Sequence, residues 1–506
     1  MVSSVLMSWL TQAVTIAAGF VMPRLIDRNL GQELLGVWDF SWSIVGYFAL
    51  AQVGITGSIN RYVARYRTAG DDAAIHRAIS SVFCVLLVMA FAIMSVATII
   101  GVWVLPQYGA AKLGTHLAEA QWVIIILGLE IAVETLFSSY GGVLTGCHGW
   151  KRYYGIQTVT NICTALGMAL VLLLGGSLRS VALVHLLGVV CCWSAITIHA
   201  YRVLPGLKVR LALATHAVAA EMFSFGAKSF LPQIGELLLN QTVNVLILVH
   251  LGPAALALYS RPRSLVQQTR TLVARMSGIL IPSVSSIHAT GDLAQIREVI
   301  IKGTRYGAFL TLPVALVVAA MGGPILYLWM GANYQSDVIP IALSAGTTAM
   351  IILTPALCVL VGMNLHGPAG RIHFVGCAIT AASVWVALGW FKVGLAGAAI
   401  SAGLPLALLY TFYMPFHLAR HLKISVLSFL KEGVGGPVLV CLPLLFCLLI
   451  SRWYFSGQPA LALIVGCASG GMVLLPLYWR FALPESLKEK VRHWNFFGGR
   501  LKDASA

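Results

Sequence analysis

Fourteen stretches of about 20 predominantly apolar residues fill this chain, each long enough to cross the hydrocarbon of a bilayer as a helix. They run approximately over 2–23, 36–57, 80–104, 118–146, 153–175, 180–201, 221–249, 254–285, 304–330, 338–363, 372–390, 394–418, 434–451 and 460–479. A segment in lipid must satisfy its own backbone hydrogen bonds, so the fold class is all-α and polytopic. Composition agrees: 59% of residues are hydrophobic and 10% are charged, too few to solvate the surface of a soluble fold. The first stretch has no basic leader region and no small-residue cleavage site, and reads as a retained helix.

The formal charge of +16 would suggest nucleic acid in a soluble protein, but here its placement matters more. With the N-terminus in the cytoplasm, 22 Lys and Arg fall in inside segments and 6 in outside ones. The positive-inside rule then places both termini in the cytoplasm. The charge meets anionic headgroups, and nucleic acid is not an expected partner. No loop is long enough to fold alone. The basic tail, 481–506, carries Leu487, Val491 and Trp494, and reads either as a surface-lying segment or as a solvated one.

The ten cysteines fall mostly inside apolar runs and form no C-x-x-C pair, so neither a disulfide framework nor a metal centre is expected. There is no Walker A sequence and no credible Ser/His/Asp set, and no cofactor is called for. The histidines mostly sit near helix ends, where an interfacial role is the default.

A repeat is visible at an offset of 221: LGQELLGVW at 30–38 aligns with LGPAALALY at 251–259, Gln12 with Gln233, and Ser43 with Ser264. Six helices separate the copies, so both have one orientation, which predicts two parallel six-helix lobes with a substrate between them. The expected divisions are 1–203 for the first lobe, 204–220 for a cytoplasmic linker, 221–419 for the second lobe, 420–480 for helices 13 and 14, and 481–506 for the tail.

Charge at membrane depth costs roughly 2.5–3.5 kcal/mol per group on insertion scales. Helix 8 carries Arg261, Arg263, Gln267, Arg270 and Arg275, which suit an anionic ligand in a hydrated cavity. Arg261 and Arg275 lie near the ends, where snorkelling is the rival reading; Arg263 and Arg270 have no headgroup within reach. Helix 7 presents Gln233, Glu236, Asn240 and Asn244 on one face, with Lys228 nearer the cytoplasm. That face either bonds neighbouring helices or lines the same cavity. In helix 4, Glu130 and Glu134 stand four apart. Two carboxylates that close in a low dielectric favour retaining a proton, which makes them candidate proton carriers; pairing with an arginine on a neighbouring helix is the alternative. Asp39 aligns with Ser260 beside Arg261, where an ion pair between lobes would gate the outer mouth.

Residues 24–67, RLIDRNLGQELLGVWDFSWSIVGYFALAQVGITGSINRYVARYR, and 394–403, GLAGAAISAG, are similar to the polysaccharide transporter, or O-antigen flippase, branch of the multidrug/oligosaccharidyl-lipid/polysaccharide (MOP) superfamily. The resemblance implies a V-shaped, MATE-like pair of lobes plus two helices. It also implies a flippase that moves undecaprenyl-diphosphate-linked oligosaccharide across the bacterial inner membrane by alternating access, with ion or proton coupling. Polysaccharide polymerase and chain-length machinery are implied partners besides the bilayer. Many relatives have a short basic leader that is missing here, which implies a start upstream of Met1. Two readings within the superfamily stay open, a lipid II flippase and a drug antiporter. A polymerase or ligase would need a larger outside loop than this chain has.

Overall fold

The computed structural model describes residues 2–52, 55–215 and 231–483, with Glu485, Lys488 and Glu489. Lys228, Leu487, Val491 and Trp494 lie outside the described residues. The described chain is helical and contains no strand. The main helical segments among the described residues are α1 Val2–Leu30, α2 Gln32–Gly46 with Tyr47–Gln52 and Ile55–Ala69, α3 Asp72–Tyr108, α4 Leu117–Gly146, α5 Trp150–Leu173, α6 Leu178–Val203, α7 Leu231–Leu251, α8 Pro253–Ala289, α9 Leu293–Met330, α10 Val338–Gly362, α11 His366–Gly389, α12 Gly394–Leu422, α13 Val426–Tyr454 and α14 Pro459–Phe481. Thirteen helices among the described residues are long and apolar enough to span a membrane, so the protein is a multi-pass membrane protein. Exposed Trp103, Tyr108, Trp390, Phe391, Trp453 and Tyr454 cluster at the C-terminal ends of α3, α11 and α13, as interfacial aromatics do.

The backbone carries the repeat more sharply than the side chains do. Gly31 and Gly252 end α1 and α7 at φ +92° and +91°. Gly70 and Gly291 adopt φ +69° and +76°, and the next residues, Asp71 and Asp292, cap α3 and α9 by accepting from the N–H three residues on. All these pairs stand 221 apart. Helix α4 has 30 residues, whereas α10 has 25. From their C-termini onward the offset is 216: α5 and α11 start at Trp150 and His366, and His148 and Asn364 share the left-handed conformation at φ +61° and +58°. One internal deletion of five residues therefore separates the copies.

By its contacts the chain forms two compact units, one of Met1–Ser260 with Gly370–Ala398, the other of Arg261–Ala369 with Ala399–Ala506. In the first, α4 is the central helix. Its small residues let neighbours approach, Gly128 against Ala97 of α3, Gly142 against Ile59 and Gly146 against Val63 of α2. Ile59, Val63, Ile75, Ile79, Leu86, Val143, Leu144, Trp193 and Ile196 form the core beneath. The segment after α6 is tied to α3, where Ser80 accepts from the Arg210 N–H and Ser81 from the Thr215 N–H.

In the second unit α9 is central. Gly303 and Gly307 receive Pro355 of α10, and the Gly346 and Gly403 backbones touch between α10 and α12. Pro405 deletes one helical N–H from α12, and a wide turn follows at Leu409–Tyr413. Arg452 of α13 donates to the Ala320 carbonyl of α9 and to Asp337, which precedes α10, at 2.6 and 2.5 Å.

Candidate functional site

The deepest ionisable contact described lies between α4 and α6. Glu130 is 2% exposed, and its Oε2 is 2.7 Å from His185 Nδ1. An isolated carboxylate there would be costly, and a hydrogen-bonded partner offsets that cost. Trp38 and Trp42, one turn apart on α2, set their rings edgewise to the imidazole at centroid distances of 6.4 and 5.5 Å. Glu134 follows one turn along α4, half-buried, within electrostatic reach of Glu130, His185, Tyr153 of α5 and Cys192 of α6. Nearer the start of the same two helices, Glu119 and Arg179 form an ion pair at 3.0 Å. The seam thus has charge at two levels.

Glu130 pairs with a histidine where sequence reasoning offered an arginine. The signal was present: His185 stands seven residues inside α6, away from the helix ends where histidines were expected. Trp38 and Trp42 also carry a legible i, i+4 spacing on α2.

Helices α2 and α7 meet along a polar seam in the same unit. Asn244 donates to Ser43 Oγ at 2.8 Å, Ser43 donates to the Asp39 carbonyl at 2.8 Å, and Tyr47 and Thr242 share a hydrogen bond at 2.9 Å. This supports the helix-bonding role for Asn244. Asp39, Glu236 and Asn240 are half-buried.

The five polar residues singled out on α8 do not share one face. Arg263, Gln267 and Arg270 recur at i, i+4 and i+7 and form one stripe; Arg263 and Arg270 are half-buried and Gln267 is exposed. Arg261, 5% exposed, and Arg275, exposed, project well away from it. Pro262, Val266, Thr269, Val273 and Ser277 make the buried stripe. The second unit also carries a partly open apolar pocket of about 470 Å³ bordered by Leu312, Leu316, Ser344, Thr348, Tyr410 and Val434. Among the described residues no cluster of three or more His, Cys, Asp or Glu is placed to hold a metal ion.

Residues 68–339 match the model of a family described as "Polysaccharide biosynthesis protein". The chain is 22% identical over 449 residues to the "Uncharacterized membrane protein EpsK" of Bacillus subtilis, covering 85% of this chain and 87% of that one. It is 22% identical over 337 residues to the "Putative O-antigen transporter" of Shigella flexneri, covering 65% of this chain and 78% of that one. Among solved structures, it resembles the lipid II flippase MurJ in an inward closed conformation, with a TM-score of 0.70 at 16% identity over 96% of this chain and 100% of that one. It also resembles a multidrug resistance MATE family transporter of the MOP superfamily in its inward-facing conformation, with a TM-score of 0.68 at 13% identity over 83% of this chain and 99% of that one. At these identities the structural likeness concerns the fold.

Proposed function

The chain belongs to the polysaccharide biosynthesis protein family, a group of membrane transporters, and within it we propose a flippase for polyprenyl-diphosphate-linked oligosaccharide. It moves an O-antigen or exopolysaccharide repeat unit across the bacterial inner membrane by alternating access of the lobes 1–203 and 221–419, with both termini in the cytoplasm. The single observation that carries this reading is the stripe of Arg263, Gln267 and Arg270 on a membrane helix of a chain in this family. A diphosphate is a dianion or more, and guanidinium groups bind it through paired, charge-assisted hydrogen bonds.

In this reading Arg263 and Arg270 hold the diphosphate, and Gln267 and Asn240 contact its sugar side. Arg261, Arg275 and Lys228 supply flanking positive potential. Glu130, Glu134 and Glu236 are the candidates for the coupling charge, and Asp39 for the outer gate. A polysaccharide polymerase and chain-length machinery receive the flipped unit. The work is transport, with no bond made or broken.

The test is complementation. The wild-type protein and the Arg263→Ala and Arg270→Ala variants are expressed in a strain that lacks its own flippase and is supplied with the native glycan pathway, and membrane insertion is checked for each. Surface glycan is restored by wild type and falls at least tenfold in each variant. Failure of inserted wild type with a matched glycan overturns the flippase reading. Variants that match wild type remove the arginines from the substrate site.

A further inference from the structure

We propose that the apolar pocket of the second unit is a binding site for one anionic phospholipid, with a single fatty acyl chain in the pocket and the phosphate at the basic connection between α12 and α13. The proposal concerns a lipid that stays with the protein and is independent of what the protein transports.

The pocket exists because four helices of one unit stand apart along one face. Residues four apart on a helix share a face, and here two facing helices are small at that spacing: Ala315 and Ala319 on α9, Ala345 and Ala349 on α10. The Ser344 and Thr348 hydroxyls beside them donate to the Ala315 and Ser344 carbonyls at 2.9 and 2.6 Å, so both are engaged by backbone. Helices α12 and α13 form the opposite wall, each through a wide turn, Leu409–Tyr413 and Lys431–Gly435, that sets Tyr410 and Val434 against the pocket. Single wide turns of this kind recur at functional sites. Gly433, within the second turn, rests on Thr304 of α9. In the first half α6 is α-helical throughout Leu178–Val203, with no wide turn to answer that of α12.

Size selects the occupant. Helices α10 and α12 are level at the Gly346–Gly403 contact, so from Ile341 to Pro415 the pocket extends about 25 Å along the helices. Ile341 and Val438 on its rim are 46% and 39% exposed, and an apolar rim exposed within membrane spans meets lipid chains. Water needs several polar partners, which this lining does not offer, so the pocket takes hydrocarbon. A methylene group fills about the space of a water molecule, about 30 Å³, so 470 Å³ holds about 16 of them. That is one fatty acyl chain. An undecaprenyl chain has several times as many carbons and would leave most of its length outside.

Charge selects the headgroup. Between Thr411 and Gly435 the chain carries Arg420, Lys423 and Lys431 against Glu432, all exposed. Glu432 accepts from Ser428, and Arg297 of α9 holds the connection by donating to the Leu422 carbonyl at 2.8 Å. Pro415 and Leu430, which flank this connection, line the adjoining end of the pocket. Each Lys or Arg near a membrane surface favours an anionic lipid by about fivefold.

The test uses the full-length protein reconstituted in nanodiscs of phosphatidylethanolamine and phosphatidylglycerol in equal amounts, then released into mild detergent. Native mass spectrometry reads the lipid retained. Wild type keeps one phosphatidylglycerol. Ala349→Phe fills the pocket and lowers that retention at least about tenfold. Lys423→Gln/Lys431→Gln still keeps one lipid, but its preference for phosphatidylglycerol over phosphatidylethanolamine falls by at least about fivefold. This second variant changes exposed side chains alone, so it decides the matter should Ala349→Phe fail to assemble. No retained lipid on wild type, undiminished retention in Ala349→Phe, or an unchanged preference in the lysine variant overturns the site. Displacement of phosphatidylglycerol by added undecaprenyl phosphate overturns the choice of occupant. The complementation assay decides the flippase reading separately, since these measurements contain no transport step.

Discussion

The seam between α4 and α6 and the seam between α10 and α12 are copies of one another in the repeat, yet they are held by opposite means. The first carries two polar side-chain contacts, the ion pair of Glu119 with Arg179 and the hydrogen bond of Glu130 with His185. The second brings backbone onto backbone, where a Cβ placed on Gly346 would lie 2.4 Å from Gly403 Cα. Helices in lipid gain nothing by burying apolar surface from each other, so they join by close van der Waals contact or by polar bonds. This protein uses one solution at each of these two seams. A glycine contact has no chemical switch. An acid–imidazole pair depends on one short hydrogen bond between ionisable groups. The same division recurs on a smaller scale between α1 with α5 and α7 with α11. There the Thr11 and Thr158 hydroxyls bond at 2.8 Å in the first half, while Phe374, the counterpart of Thr158, packs on Gly235 in the second.

The largest way to break the comparison is steric. Gly403→Leu drives a side chain into the Gly346 and Ala342 backbone, which has no rotamer to yield, so destabilisation reaches or exceeds the roughly 3 kcal/mol upper range of overpacking. Loss of monodisperse protein on detergent size-exclusion chromatography checks it. Glu130→Ala comes next, at about 1–3 kcal/mol, because His185 loses its hydrogen-bond partner. Thermal unfolding in detergent reads this. The sharpening experiment combines Glu130→Ile with His185→Ser, giving the first seam residues of the second. Unfolding then returns to within about 1 kcal/mol of wild type, since an apolar replacement of a buried pair is often neutral. Arg452→Ala removes two charge-assisted bonds from a half-exposed site, for about 1 kcal/mol, read as earlier proteolysis between α13 and α14. Glu119→Gln is the smallest, below about 1 kcal/mol, because the partly exposed pair with Arg179 is screened.

The helices were legible because the bilayer imposes a length that an apolar run either meets or does not. The multi-pass fold and the family follow the sequence reading for that reason. The repeat was legible at LGQELLGVW and LGPAALALY, but a single offset hid the five residues lost between α4 and α10. That loss shows in helix lengths and in the paired left-handed positions of His148 and Asn364. Glu130 is legible from the cost of a buried carboxylate, whereas His185 is masked because most histidines of the chain sit near helix ends and only its depth within α6 sets it apart. The polar residues of α8 are legible as one set suited to an anion; helical phase splits them into a stripe of Arg263, Gln267 and Arg270 and two outliers. Contacts such as Gly346 with Gly403 join residues 57 apart, and neither glycine differs in sequence from one that merely spaces a helix.

The five missing residues bear on how halves of this chain can be exchanged. Five residues are about 7.5 Å of helix and about 140° of rotation. A chimera joined before Leu117 and Val338 keeps every later face in register with a shift of 221. One joined after Gly146 and Gly362 needs a shift of 216. Applying either number at the other junction would turn the lipid-facing side of the following helices toward their neighbours and bury what should face the membrane. The deletion acts as a reading frame written in helical turns, and only grafts that respect it would leave a membrane protein.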